Sequence, residues 1–388
     1  MQPKRADSGG KRAVACLSEG PFTGRSEFDG PRLSRALQGT CHPTGDRQIV
    51  GPARQARTLV TIVGSIGYYR SMSIITLSPE DILRARERIR NRVRQTPVMG
   101  ADDINDLLGV ELSFKCEHLQ ETGSFKLRGA SHAISLLRED CPGVATHSSG
   151  NHGAALARAA RSRNLEAHVV MPDNAVTSKI EAVRRYGGQV HFCQPTQAAR
   201  EAGLAELIDQ GFEAVPPYDD ERIIAGQGSC ALELMEQVPD LDAIIAPIGG
   251  GGLISGTALA ARSAPNSPRV YGVEPAGADD TYRSLKAGRR VSDHDPHTMA
   301  DGLRALVGER NLSIIASDVL EVFTVPESRI LEAMTLIWTR LKQVVEPSGA
   351  VALAGVMNRP ERFADMRLGI ILSGGNLDIR PMLEILET

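Results

Sequence analysis

Five continuous apolar runs of strand length recur along the chain, and segments with helical spacing separate them. The runs are 167–171, 189–193, 243–248, 269–274 and 368–372. Apolar residues fill these runs almost without alternation, as strands require when helices cover both faces of a parallel sheet. Helical spacing is clearest at Leu127, Ala130, Ile134 and Leu137, and again at Ile330, Met334, Ile337 and Leu341. The pattern predicts an open α/β fold, in which ligands bind at the carboxyl ends of strands.

Composition and charge exclude several classes of function. The chain has 388 residues, of which 47 are acidic and 44 basic, so a general nucleic-acid surface is not expected. Its six cysteines form no CxxC pair, which argues against a zinc or disulfide framework and favours the reducing cytoplasm. The apolar run 59–69 has about half of the ~20 residues that a membrane helix needs. We therefore expect no binding to nucleic acid and no membrane span.

The first 71 residues differ in charge from the rest of the chain. They contain 11 basic and 5 acidic residues, are rich in Gly, Pro and Ser, and lack sustained periodicity. We expect 1–71 to be a disordered extension, or upstream sequence translated from a wrongly chosen start. A targeting or regulatory arm and a nucleic-acid-binding leader are the alternatives. Beyond it, Ser78 as N-cap and Pro79 at the first helical position predict the start of a helix.

A lysine stands at the predicted start of a helix in the segment 121–130. Lys126 follows the Gly123-Ser124 turn, close to the positive end of the helix dipole and in a place where burial is expected. Both effects favour the neutral amine that Schiff-base chemistry requires. Taken alone, this stretch fits an ordinary surface lysine at a helix start better than a Schiff-base lysine.

Three further segments are predicted to follow strands and carry groups that bind anions or rings. The segment 147–153 places two serines and Asn151 where a helix is expected to begin at Ala154, although an ordinary helix cap would look similar. Four glycines, Gly249 to Gly252, let main-chain N–H groups converge on a phosphate. They match neither GxGxxG nor the P-loop. In the segment 372–376, a hydroxyl can hydrogen-bond a heteroaromatic nitrogen, or the segment is only a turn.

Together the four segments resemble the fold-type II pyridoxal-phosphate enzymes, in the serine/threonine dehydratase and serine racemase family. The resemblance covers about 74–385 and follows the order of the family's motifs. It implies a tryptophan synthase β-like α/β fold of two open domains with the cofactor in the cleft between them. The large domain would comprise 72–141 and 220–388, and the small substrate-binding domain 142–219.

The resemblance also implies roles for individual residues. Lys126 would form a Schiff base with pyridoxal 5′-phosphate, and in a racemase Ser149 would be the acid/base on the opposite face. The cofactor-binding residues would be Phe125, Lys126, Asn151, Gly249, Gly250, Gly251, Gly252, Leu253 and Ser373. The substrate-binding residues would be Ser148, Ser149, Asn151, His152 and Arg200.

A divalent-cation site is implied by the similarity of the segment 274–280 to that of serine racemase-like members. Its ligands would be Glu274, the carbonyl of Ala278 and Asp280, with waters completing the coordination. Oxygen ligands of this kind suit Mg²⁺, or another divalent cation such as Ca²⁺ or Mn²⁺. Without the resemblance, three acids in seven residues are typical of a solvated turn.

The activity implied is that of a dehydratase (an ammonia-lyase). It would convert L-serine, L-threonine or 3-hydroxyaspartate to a 2-oxo acid and ammonia by α,β-elimination, and the family suggests a homodimer. The alternatives are an amino-acid racemase with dehydratase side activity and a non-catalytic pyridoxal-phosphate-binding protein. Two departures from the racemase pattern, Ala305 and Glu121, argue against efficient racemisation and against nucleotide activation, respectively.

Overall fold

A computed structural model describes residues 77–148, 150–380 and 382. The expectation for residues 1–71 lies outside these residues and stays a prediction. The strands of the described part are β1 (Val98–Gly100), β2 (Glu111–Cys116), β3 (Gly143–His147), β4 (Glu166–Pro172), β5 (Gln189–Cys193), β6 (Glu213–Ala214), β7 (Ala243–Pro247), β8 (Arg269–Pro275), β9 (Glu321–Val325) and β10 (Arg367–Leu372).

The α-helices of the described part follow the predicted alternation with strands. They are α1 (Pro79–Ile89), α2 (Asp102–Leu108), α3 (Lys126–Ser135), α4 (Asn151–Arg161), α5 (Thr177–Arg185), α6 (Gln197–Asp209), α7 (Glu221–Gln237), α8 (Gly252–Ala261), α9 (Asp280–Ala287), α10 (Glu309–Asp318), α11 (Glu327–Leu336) and α12 (Pro347–Asn358). None of the described helices has the length and apolarity needed to cross a bilayer.

The strands of the described part form two sheets. One has six strands in the order β1-β2-β10-β7-β8-β9, and the other has four in the order β5-β4-β3-β6. All neighbours are parallel except β1 and β2. The five predicted runs correspond to β4, β5, β7, β8 and β10, so the predicted open α/β architecture is confirmed. The strands of the four-stranded sheet lie between residues 143 and 214, and the division into two domains stays a prediction.

The predicted burial was wrong for one of these strands. β5 is an edge strand, and the Phe192 side chain is 53% exposed. An edge strand pairs on one side only, so its apolar residues need not be covered on both faces. By contrast β7, in the middle of the six-stranded sheet, is buried throughout.

Close packing of two helices fixes the start of α8, which follows β7. α7 and α8 touch through glycines: a Cβ at Gly256 would lie 2.5 Å from the Ile224 carbonyl oxygen. α1 packs on the same pair and buries Ile82, Ala85 and Ile89. Its predicted start is confirmed, since the Asp81 carboxylate accepts a hydrogen bond from the Ser78 N–H at 2.9 Å. The N-terminus of α8 is thereby held at the edge of the sheet where β7 ends.

Candidate active site

One cavity of about 790 Å³ lies at the carboxyl ends of β3, β7 and β10. It is lined by the predicted substrate residue Arg200 and by predicted residues from all four segments: Phe125, Lys126, Ser148, Asn151, His152, Gly249, Gly250, Gly251, Gly252, Leu253 and Ser373. Ser149 lies outside the described residues. The structure therefore brings the four sequence segments together, as expected for strand ends of open α/β sheets.

Lys126 is the first residue of α3, and its half-buried side chain lines the cavity. Nζ donates a hydrogen bond to the Pro217 carbonyl oxygen at 2.9 Å and lies 5.0 Å from the centre of the Phe125 ring. No carboxylate of the described residues pairs with it. Burial lowers its pKa from 10.5 to about 8, because the charged form loses hydration without gaining a counter-ion. Near physiological pH, part of the Lys126 amine is therefore in the neutral form that Schiff-base formation requires.

The turn before Lys126 is joined to the strand end that carries Ser373. The Phe125 N–H donates to the Ser373 carbonyl oxygen at 3.1 Å, and Ser124 forms a β-bridge with Gly374. The Ser373 hydroxyl is nearly buried and donates to the Ser348 carbonyl oxygen at 3.3 Å. The lysine and the hydroxyl are therefore held by one local network.

The four-glycine turn forms a cradle at the N-terminus of α8. A Cβ at Gly250 would lie 2.2 Å from Tyr218 Cγ, and one at Gly252 would lie 2.5 Å from Gln227 Oε1. Gly251 has φ +90°, a conformation that favours glycine. Within the described residues, the N–H groups of Gly249, Gly250 and Gly251 donate no hydrogen bond. Unpaired N–H groups at a helix N-terminus suit a phosphate.

The loop after β3 starts α4 earlier than the sequence suggested. The helix begins at Asn151 rather than at Ala154, because the Ser148 hydroxyl accepts hydrogen bonds from the Gly150 and Gly153 N–H groups, both at 3.1 Å. These bonds close the first turn. Ser148 therefore shapes the loop whose main-chain N–H groups border the cavity.

The ring of His152 is turned towards the protein interior. Nε2 lies 3.0 Å from the Val215 carbonyl oxygen, and burial lowers the pKa of the ring to about 3. The neutral ring then donates through Nε2, so Nδ1 has only a lone pair to offer. If His152 binds the substrate carboxylate, as predicted, it therefore does so through its main-chain N–H and not through its ring. Arg200, in the first turn of α6, supplies a half-buried guanidinium on the same cavity.

Sequence reasoning missed Glu346, which holds Asn151 in place. Asn151 Nδ2 donates to Glu346 Oε1 at 2.7 Å, and Asn151 Oδ1 accepts from Asn376 Nδ2 at 2.9 Å. Burial raises the pKa of Glu346 to about 7, and its Oε2 has no partner among the described residues. The sequence signal for Glu346 is its position directly before Pro347, the first residue of α12, because the N-terminus of a helix favours carboxylates.

The predicted cation ligands extend from Glu274 near the end of β8 to Asp280 at the start of α9, and they are outside the lining of the cavity. The buried Glu274 carboxylate accepts hydrogen bonds from the Thr281 and Tyr282 N–H groups at 3.1 and 2.9 Å. Asp280 Oδ2 accepts from the Val307 N–H at 2.8 Å, whereas Oδ1 has no hydrogen-bond donor in the described chain. Burial and then the neighbouring Asp280 raise the pKa of Glu274 to about 8. The His294 ring lies next to this pair of buried acids, with Nδ1 3.4 Å from Asp280 Oδ1.

A family model described as pyridoxal-phosphate dependent enzyme matches residues 89–374. The chain belongs to this family. The beta-hydroxyaspartate dehydratase of Paracoccus denitrificans is 47% identical over 303 residues, which cover 77% of this chain and 96% of that protein. The L-threo-3-hydroxyaspartate ammonia-lyase of Saccharomyces cerevisiae is 40% identical, with coverage of 77% and 93%. The crystal structure of serine racemase from Dictyostelium discoideum matches with a TM-score of 0.74 at 46% identity, covering 78% of this chain and 99% of that one.

The fold is accordingly that of the fold-type II pyridoxal-phosphate enzymes, as the resemblance implied. The residues present fit this cofactor on three structural grounds. The Lys126 amine, whose pKa is lowered, lines the cavity. The same cavity is lined by the glycine turn, whose main-chain N–H groups have no partner among the described residues, and by the neutral hydroxyl residue Ser373. When bound, pyridoxal phosphate withdraws electrons from the bonds at the substrate Cα.

Proposed function

We propose that this chain is a pyridoxal-phosphate-dependent ammonia-lyase that dehydrates a β-hydroxy amino acid, L-serine, L-threonine or 3-hydroxyaspartate. The amino acid loses its Cα proton and its β-hydroxyl group as water. The resulting enamine then takes up water and yields a 2-oxo acid and ammonia. The observation that carries the proposal is the low-pKa amine of Lys126 in the same cavity as the glycine cradle.

Two groups of the chain would move or control protons in this reaction. Lys126 Nζ, with a pKa of about 8, is neutral often enough to accept the Cα proton and acidic enough to return it. Ser373 carries a neutral hydroxyl, which would turn its hydrogen from the Ser348 carbonyl oxygen to a ring nitrogen. Unlike a carboxylate, it would not hold that nitrogen protonated. This arrangement favours prompt departure of the β-hydroxyl group over long storage of the negative charge.

Other residues would orient the reactants. The main-chain N–H groups at the start of α4, together with Arg200, would bind the substrate α-carboxylate. Asn151, fixed between Glu346 and Asn376, would direct its remaining amide hydrogen at the cofactor hydroxyl. The N–H groups of the glycine cradle, from Gly249 to Leu253, would hold the phosphate.

Racemisation is the second candidate, and two observations favour it. Serine racemases are among the relatives, and Ser149, the residue proposed as acid/base, is present in the sequence. Incubation of the cofactor-loaded protein with L-serine, L-threonine and the 3-hydroxyaspartate diastereomers tests both candidates. A lyase releases equal amounts of 2-oxo acid and ammonia, whereas a racemase yields the D-enantiomer in the amino acid that remains. Absence of both products from all substrates would refute the proposal.

We further propose that Glu274, the carbonyl of Ala278 and Asp280 bind Mg²⁺, or another divalent cation such as Ca²⁺ or Mn²⁺. The support is a pair of buried acids whose pKa values are raised mainly by burial, with one carboxylate oxygen left without a donor. In the described part of the chain, no cluster of three His, Cys, Asp or Glu side chains forms a metal site. The proposed set therefore needs a carbonyl and waters, a combination that suits hard cations.

A cytoplasmic homodimer also remains a proposal. The four cysteines of the described residues, Cys116, Cys141, Cys193 and Cys230, are free, which is usual in a reducing compartment. Light scattering of the purified protein measures the dimer directly.

A further inference from the structure

The cavity carries more positive than negative side chains. Among the described residues, five lysines and arginines line it, against three acids. Lys179 pairs with Asp301, and Arg290 donates to the Val307 carbonyl oxygen and lies 3.9 Å from Glu309. In the described residues, neither Arg200 nor Arg304 has a carboxylate within ion-pair distance. Two guanidinium groups thus border the cavity without a negative partner.

The acids of the cavity do not balance these two arginines. Asp301 is already paired with Lys179, and the Glu201 carboxylate accepts a hydrogen bond from Gln197 at 2.7 Å. Glu346 is engaged with Asn151, and burial raises its pKa to about 7, so it is partly neutral. The remaining positive charge therefore favours anionic ligands.

Arg304 is fixed with one edge of its guanidinium group open. Nε and Nη2 both donate to the Thr298 carbonyl oxygen, at 3.0 and 2.6 Å. The Arg304 carbonyl lies 2.9 Å from His294 Nε2, while Nη1 has no partner in the described chain. A guanidinium group that is already positioned loses little freedom when it binds an anion.

Arg304 follows a short helical turn that contacts both the glycine cradle and, through Lys179, the loop after β3. This turn, Asp301–Leu303, packs on the glycine cradle, since a Cβ at Gly249 would lie 2.9 Å from Leu303 Cα. Its Asp301 holds Lys179, and the Lys179 stem packs on Gly150 in the loop after β3. Arg304 therefore extends from a segment that lies between the proposed phosphate and carboxylate sites.

We propose that Arg304 binds the second carboxylate of a dicarboxylic β-hydroxy amino acid, the class to which 3-hydroxyaspartate belongs. The inference builds on the lyase function proposed above. A monocarboxylic substrate such as serine offers one carboxylate to two unpaired arginines, whereas a dicarboxylic substrate offers one to each. Arg200 would bind the α-carboxylate, and Arg304 would select the substrate by its side chain. Arginine suits this task, because its planar donors match a carboxylate.

The test uses cofactor-loaded protein and three variants. Arg304→Met removes the charge at similar length, Arg304→Lys keeps the charge without the planar donors, and Arg262→Met is a control at an exposed arginine that pairs with Asp318 outside the cavity lining. The kinetic readout is the ratio of kcat/KM for L-threo-3-hydroxyaspartate to kcat/KM for L-serine. The binding readout is the ratio of the Kd values of succinate and propionate, measured by calorimetry.

We expect Arg304→Met to lower the kinetic ratio about 10- to 100-fold, mainly through KM, because a charge-assisted hydrogen bond is lost. Arg304→Lys should recover part of the ratio, and Arg262→Met should leave it unchanged. Arg304→Met should also weaken the binding of succinate relative to that of propionate by a similar factor. A kinetic ratio within threefold of the wild type, or a parallel loss of pyridoxal phosphate affinity, would overturn the inference. If the wild type turned over neither of these amino acids nor L-threonine, the lyase proposal would fail, and the calorimetric ratio would still decide the role of Arg304.

Discussion

The glycine cradle makes a quantitative prediction for Gly250→Ala. The added Cβ would lie 2.2, 2.3 and 2.5 Å from Cγ, Cδ1 and Cδ2 of the Tyr218 ring. Carbon atoms without a bond pack at about 3.5–4.0 Å, so the ring or the turn must move by about 1 Å or more. Such overpacking costs about 1–3 kcal/mol, and movement of the turn would misplace the N–H groups that are proposed to bind phosphate. We therefore expect the Kd of pyridoxal phosphate to rise about 5- to 150-fold.

Titration of cofactor-free protein with pyridoxal phosphate, followed by absorbance, measures this change. Gly100→Ala is the matched control, because no atom lies within 4 Å of the added Cβ and φ is not positive. Tyr218→Ala in the Gly250→Ala background removes the clashing ring. We therefore expect Gly250→Ala to weaken pyridoxal phosphate binding much less when Tyr218 is already alanine than when it is present. An unchanged Kd in a folded Gly250→Ala protein would refute the proposed convergence of N–H groups on the phosphate.

Three further predictions concern the amine, the cation and the two faces of the substrate. The rate of cofactor incorporation should rise between about pH 7 and 9 and then level off, because the neutral fraction of Lys126 grows through its lowered pKa of about 8; a rise that continues beyond pH 10 would indicate an ordinary lysine. Asp280→Ala should lower activity in a way that excess Mg²⁺ does not restore, whereas Asp279→Ala should retain the response to Mg²⁺. Equal sensitivity of both variants to EDTA and Mg²⁺ would count against the cation site. Ser149→Ala should suppress racemisation while sparing part of the elimination from the L-substrate, as chiral chromatography and 2-oxo acid assays would measure; equal loss of both activities would contradict a two-face mechanism.

The strands that the sequence predicted are mostly those in the interior of the sheets. β7 is apolar throughout and β10 is apolar after Arg367, because helices cover both of their faces, and this burial is visible in composition alone. β2 escaped detection because it contains Lys115, a residue type that indicates an exposed position. In the structure Lys115 is fully buried and donates to Glu233 at 2.9 Å. The partner is 118 residues away, so no local pattern could have indicated the pair.

The same physical limit applies to the site. The glycine turn and Lys126 were predictable because each has a local signature, a turn composition or a helix start. The contact between Asn151 and Glu346 joins residues 195 positions apart, and the fixed position of Arg304 depends on the carbonyl group of Thr298. Neither contact can be predicted from the sequence. Acids and arginines are usually exposed, and the sequence does not show which of them has a partner in the fold. Burial distinguishes Glu346 from an ordinary surface acid, whereas Arg304 is exposed and differs from an ordinary surface arginine in its two hydrogen bonds to the Thr298 carbonyl oxygen.

The central claim is that the amine of Lys126 carries the cofactor. Two lysines line the cavity, and Lys179 is the natural comparison because it is ion-paired with Asp301, whereas Lys126 has no such partner in the described chain. Borohydride reduction of the cofactor-loaded protein, followed by digestion and mass spectrometry, identifies the lysine that holds pyridoxal phosphate. We predict that the label is on Lys126. A label on Lys179 or on another lysine, with Lys126 unmodified, would contradict the account.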